Sequence, residues 1–338
     1  MNEPETKTLD NADAMAPPPK VSKWDDAKLE LKKAPWSAKF GLLVIALYVF
    51  AALFAPLLTP YGESEIVGEV FMPWDETNIL GTDNLGRDML TRLLYGARNT
   101  VGIAFVTTCF AFLIGGVGGM LAAILGGWTD QVLSRIVDVL MAIPQLIFAL
   151  LLLTIFGTSI PVLIIIIAVL DSTRVFRLAR AVSHNVVVTD FVESARLRGE
   201  SMGWIAIREV LPNIMPPLVA EFGLRFCFVF LLISGLSFLG LGLQPPTADW
   251  GSMVRDNATL ITYGDITPLL PAGAIALLTV GVNFVVDWFS FRRFEKFVVK
   301  LLAVLWQFVD EVRSLHVNRR NDRPQQPEGH GNDDDVNQ

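Results

Sequence analysis

The stretch Asp190-Phe191-Val192-Glu193-Ser194-Ala195-Arg196-Leu197-Arg198-Gly199, with Pro212 thirteen residues further on, decides how the rest of this chain is read. It is a charged segment lodged between long apolar runs. Of 338 residues, 52% are hydrophobic and only 18% charged, and the mean hydropathy is +0.47. A soluble domain carries more charge than this, so the composition points to an integral membrane protein. A polar loop this long between spans must dock on something outside the bilayer. The formal net charge of −7 comes from acids in the termini and one loop, and no basic field for nucleic acid exists.

Working outward, a transmembrane helix needs about 20 mostly apolar residues. Residues 40–58, 101–125, 136–156, 218–243 and 268–289 meet this. Residues 160–170 do so only if the helix continues through Val175 and Phe176, with Arg174 and Arg177 reaching the headgroups. Six spans are predicted in an all-α polytopic membrane protein. Lysine and arginine near the ends orient it. With the N-terminus inside, fourteen of these residues face the cytoplasm against four outside, Arg87, Arg92, Arg98 and Arg255. Both termini are therefore expected inside the bacterial cytoplasmic membrane, and the Glu193 segment faces the cytoplasm.

Four parts are expected. Residues 1–35 form a polar, proline-dotted cytoplasmic segment unlike a signal peptide, and 36–98 hold the first span and an external loop. Residues 99–293 form a five-helix core containing the cytoplasmic loop 182–216. Residues 294–338 are expected to lie on the inner membrane surface as an amphipathic helix and then to be disordered.

The usual catalytic devices are missing. There is no Gly-Lys dipeptide for a phosphate loop, and His184, His316 and His330 are too far apart in sequence to form a helical metal pair. Cys109 and Cys227 stand alone in apolar runs. No cofactor, metal or covalent chemistry is expected. In the charged loop, residues 193–196 make a helical turn that Gly199 ends by taking a left-handed cap. Residues 204–211 make a second short helix that Pro212 stops. The result is a compact knob, or else an ordinary amphipathic connector.

Glu193-x-Ala195 with Gly199 and Pro212 resembles the "EAA" coupling loop of permease subunits of bacterial ATP-binding-cassette importers. Gly81-Thr82-Asp83-Asn84-Leu85-Gly86-Arg87-Asp88 is similar to the signature after the first span in C-type permeases of the dipeptide/oligopeptide/nickel family. Residues 236–242, followed by Trp250-Gly251-Ser252-Met253, resemble that family's fifth span and next external loop. These matches run in family order over some three quarters of the chain. The resemblance implies a non-catalytic subunit pairing with a homologous permease, docking cytoplasmic ATPase subunits, and receiving solute from a periplasmic or lipid-anchored binding protein. It implies coupling roles for Glu193, Ser194, Ala195, Gly199 and Pro212, and a place near the binding-protein docking surface for Gly81, Asp83, Gly86, Arg87 and Asp88. Peptides are the implied cargo, with nickel chelates, opines or sugars as alternatives.

Two departures stand out. Ser194 sits where the pattern has the first of two alanines, and Ile233-Ser234-Gly235 lacks the acidic residue common there. Intramembrane charges are functional candidates because each is costly in lipid. Glu221 and Arg225 stand i,i+4 on one helix face, and Asp138 follows Arg135 by three residues; both sets either line the path or serve packing. Arg87 and Asp88 form an expected pair. Gly115-x-x-x-Gly119 suggests close helix packing, within the subunit or against a paired one. An ion-coupled secondary transporter is the rival from another class, but inverted halves and a buried carboxylate cluster are not visible.

Overall fold

The computed structural model describes Lys32 and residues 34–289. Residues 294–338, expected as an amphipathic helix and tail, lie outside the described residues, as does most of the 1–35 segment. Among the described residues the protein is helical, with only isolated β-bridges at Ile66–Arg87 and Thr82–Asp88. In chain order the helices are α1 (Trp36–Leu58), α2 (Met89–Gly96), α3 (Gly102–Leu125), α4 (Gly127–Ala142), α5 (Gln145–Phe156), α6 (Ile160–Val187) and α7 (Asp190–Leu197). They continue with α8 (Met202–Trp204), α9 (Leu211–Phe238), α10 (Trp250–Asn257) and α11 (Leu269–Phe289). Short π-helical turns, Ala97–Val101 and Ile205–Val210, join α2 to α3 and α8 to α9.

Among the described residues, four helical stretches are long and apolar enough to cross a membrane: Trp36–Leu58, Met89–Leu125, Met202–Phe238 and Leu269–Phe289. A fifth is added if the bent pair α4 and α5 counts as one. The apolar runs predict six. The run 136–156 is not one straight helix, because α4 and α5 meet at 90°. Pro144 has no N–H to donate, and it forces Ile143 into an extended conformation (φ −92°, ψ 132°). The helix from Ile160 does continue through Phe176, reaching Val187, but it carries Asp171, Arg174, Arg177 and Arg180.

Pro212, expected to stop the second short helix of the knob, does not stop a helix: Met202–Phe238 is continuous over 37 residues, about 55 Å at 1.5 Å per residue. Pro212 has no N–H for the Arg208 carbonyl. The chain absorbs this in the widened turn just before it, where the Leu211 N–H reaches back to the Ala206 carbonyl.

The core forms around α3 and α6. A Cβ on Gly115 would lie 2.3 Å from the Ser172 carbonyl oxygen, and one on Gly119 would lie 2.5 Å from that of Phe176. The two glycines therefore serve packing within the subunit, bringing two backbones together as small residues do in membranes. Likewise a Cβ on Gly41 of α1 would lie 2.3 Å from the Gly281 carbonyl of α11. Gly116, by contrast, has nothing within 4 Å. Gly115→Ala and Gly119→Ala should each cost about 1–3 kcal/mol and lower the thermal midpoint in detergent, while Gly116→Ala leaves it in place. Equal midpoints for all three would contradict this packing.

Candidate functional site: a knob, a buried charge triad and an opposite cap

The knob is α7 and the start of the Met202–Phe238 helix. Thr189 enters extended, and Asp190 and Glu193 occupy the first turn of α7, where the helix dipole favours anions. The end is a Schellman motif: the Gly199 N–H bonds the Arg196 carbonyl (2.9 Å) and the Glu200 N–H bonds that of Ala195 (3.2 Å). Gly199 has φ +80°, which glycine alone takes without strain. Val192 and Ala195 are fully buried against Ile205, Val210 and Ile214, and this cluster reaches Met120 and Ile124 of α3 and Ala179 of α6. Ala195 is thus turned inward. Glu193, Ser194, Gly199 and Pro212 are exposed, and so is Leu197 at 83%. The sequence offered a polar knob; it gave no sign that Leu197 and Ile207 would stand out on its surface.

Near the midpoint of the long helix, the Arg225 Nε donates to Glu221 Oε1 at 2.7 Å, as the i,i+4 spacing predicts. Its guanidinium lies 4.8 Å from the Phe228 ring centroid, and its Nη1 lies 3.9 Å from Asp171 Oδ1 on α6. Asp171 is 1% exposed. It completes a triad linking α6 to α9, and in the sequence it stands directly after the apolar run 160–170. The signal was there: a lone carboxylate flanked by apolar residues needs a partner on another helix. Asp138 does not pair with Arg135. It meets Arg177 of α6 at 2.7 Å, half-exposed, and Arg180 forks onto Asp130 (Nη2–Oδ2 2.6 Å), so two ion pairs clasp α4 to α6.

At the far end of the Met202–Phe238 helix, the Gly81–Asp88 signature is a packed device. Asp83 accepts from the Leu85 and Arg87 N–H groups (2.9 and 3.0 Å), as expected of an Asx turn. Its other oxygen takes Arg87 (2.7 Å) and Arg92 (3.2 Å), all three buried. Arg87 therefore pairs with Asp83 and not with Asp88, whose carboxylate caps α2 through the Thr91 N–H at 2.7 Å. Gly81 and Gly86 take φ of +72° and +76°. Trp250, 1% exposed, donates Nε1 to the Leu93 carbonyl (2.9 Å) and sits edge-on to Tyr48 and Phe230. Gly251 lets α10 lie on α9, since a Cβ there would meet the Ser234 carbonyl at 2.2 Å. Asp249 caps α10 through Ser252 (2.9 Å) and accepts from Thr100 (2.9 Å), and burial pushes its carboxyl up.

Residues 115–296 match the family described as the inner membrane component of binding-protein-dependent transport systems. A dipeptide transport system permease protein of Alkalihalophilus pseudofirmus is 33% identical over 288 residues, covering 83% of this chain and 94% of that protein. An oligopeptide transport system permease protein of Bacillus subtilis is 29% identical over 268 residues, 79% of this chain and 88% of its own. A solved amino acid ABC transporter overlays with a TM-score of 0.45 at 20% identity, over 60% of this chain and 94% of its own. The chain belongs to the family of inner-membrane components of binding-protein-dependent transport systems.

Removing one member of the triad leaves buried charge behind. Arg225→Met strands Asp171 and should cost about 3–5 kcal/mol in the folded membrane protein. Adding Asp171→Leu to that variant should recover most of the loss, read as the detergent unfolding midpoint. A double variant no more stable than Arg225→Met would show that the two side chains are not coupled.

Proposed function

We propose that this chain is one of two paired permease subunits of an ATP-driven importer for peptides or similar small solutes. A binding protein outside delivers the solute, ATPase subunits inside hydrolyse ATP, and the chain itself performs no covalent chemistry. The orientation has both termini in the cytoplasm and several membrane passes. It rests on the excess of lysine and arginine at the Gly199 end. The cargo class rests on the dipeptide and oligopeptide permeases that the chain resembles.

The observation that carries the reading is the build of the knob. Its inner face is welded to α3 and α6 through Val192, Ala195 and Ile205, while Glu193, Ser194, Leu197 and Gly199 look outward. Among the described residues the Glu193 carboxylate has no hydrogen-bond partner, which suits an incoming cation from an ATPase groove. A partner that closes on the knob pushes a body continuous with the Met202–Phe238 helix. That helix carries the push past the Asp171–Arg225–Glu221 triad to the Trp250 end, switching the bundle between inward- and outward-open states. Glu221 and Arg225 are then the charges closest to the moving parts, and Asp138 serves as part of the α4 clasp.

Reconstitution tests this. Solute uptake should require both the ATPase subunits and a binding protein. Uptake driven by an ion gradient in this chain alone would replace the importer reading with a secondary transporter. Leu197→Glu, Glu193→Arg or Gly199→Trp should abolish ATP-coupled uptake while the protein stays folded in the membrane. Normal transport by all three would remove the knob from the coupling path.

A further inference from the structure

The packing described so far uses α4 on one side only. Val137 is its single buried residue, and Asp130 and Asp138 turn to α6, where they take Arg180 and Arg177. Away from α6, Trp128, Val132, Ile136 and Val139 recur at helical spacing and share one face, exposed at 80%, 37%, 52% and 67%. Arg135 stands in the same row, three residues after Val132 and four before Val139. It is exposed, and among the described residues its guanidinium meets no carboxylate and no carbonyl. An unpaired cation inside an exposed aliphatic row calls for a ligand with an anionic head and an apolar tail.

The row borders a concavity of about 690 Å³, walled by Trp128, Val132, Arg135 and Ile136 of α4 and by Arg180 of α6. With Asp130 and Asp138 matched by Arg180 and Arg177, Arg135 supplies a surplus positive charge. α4 begins directly after α3, whose last turns, with Met120 and Ile124, floor the knob. It then meets α5 at 90°. In the orientation given above, the start of α4 therefore lies at the inner face of the membrane. Tryptophan and arginine beside aliphatic side chains are the composition of a helix at the boundary between headgroups and acyl chains.

The chemistry of the row narrows the occupant. A second copy of this chain would set Arg135 against Arg135. An inorganic anion would take the guanidinium and leave the aliphatic row bare. A soluble partner would have to match an aliphatic row and a cation together. An anionic phospholipid satisfies both, its phosphate on Arg135 and an acyl chain along Val132, Ile136 and Val139. We propose that the groove between α4 and α6 is a binding site for one anionic phospholipid of the inner leaflet. Half-exposed ion pairs such as Asp138–Arg177 hold a helix weakly, so the lipid acts as a further clamp on α4. The site does not depend on what the protein carries; only the choice of leaflet rests on the orientation.

The test uses the full chain with the subunits that copurify, in nanodiscs of phosphatidylcholine containing some phosphatidylglycerol. After transfer to detergent, native mass spectrometry counts the lipids retained. One phosphatidylglycerol per copy of this chain should survive washing that removes phosphatidylcholine. Arg135→Gln should weaken its retention about fivefold, whereas Arg198→Gln, an exposed cation of the knob, should not. Ile136→Asn should also weaken retention, because the acyl chain loses part of its row. Phosphatidylglycerol should raise the unfolding midpoint of the unsubstituted chain and leave that of Arg135→Gln at its value in neutral lipid, which itself reports a folded variant. Undiminished retention in Arg135→Gln or Ile136→Asn would overturn the proposal, as would an equal loss in Arg198→Gln, the sign of general surface attraction. Displacement of the lipid by inorganic phosphate would reduce the groove to a soluble-anion site, and absence of retained phosphatidylglycerol would mean that another subunit covers it; either result also overturns the proposal. None of these outcomes bears on the importer reading, which uptake decides.

Discussion

The contact between α3 and α6 at Gly115 and Gly119 is the constraint on which the remaining geometry depends. Two backbones meet there with no side chain between them, and a single added methyl group would collide with a carbonyl oxygen. In a bilayer the apolar faces of helices gain little by leaving lipid, so association rests on such close approach and on polar contacts. Once α3 and α6 are seated, the knob has a floor made of Met120, Ile124 and Ala179. The same register sets Asp171 across from Arg225.

Charge placement follows from that register. Asp171 is buried too deeply to stand alone and meets Arg225 across the α6–α9 contact, while Arg225 pairs with Glu221 along α9 itself. The half-exposed pairs Asp130–Arg180 and Asp138–Arg177 are of a different kind. They hold α4, whose single buried residue is Val137, to a helix it otherwise touches lightly. Exposed pairs of this sort contribute little stability each. α4 is therefore joined loosely, between Gly126 and Gly127 with positive φ at one end and the 90° bend at the other.

Proline shows how tertiary context decides the meaning of a residue. Pro144 breaks the chain into two helices because Ile143 is free to become extended. Pro212, Pro216 and Pro217 lie within one unbroken helix. Ile214 and Leu218, buried beside them, anchor that helix to its neighbours, and a widened turn absorbs the missing hydrogen bond at Pro212.

By itself the sequence determined the helical class, most of the apolar spans, the polar knob ended by Gly199, the Glu221–Arg225 pair and the Asp83 turn. All of these depend on residue type and on neighbours within a few positions, as hydropathy, left-handed caps and i,i+4 spacing do. It did not determine the partner of Asp171 or the inward turn of Ala195. Those belong to the tertiary structure, because each is settled by which backbone or charge arrives from another part of the chain. A buried carboxylate and a methyl group have no preferred direction until the packed neighbour supplies one.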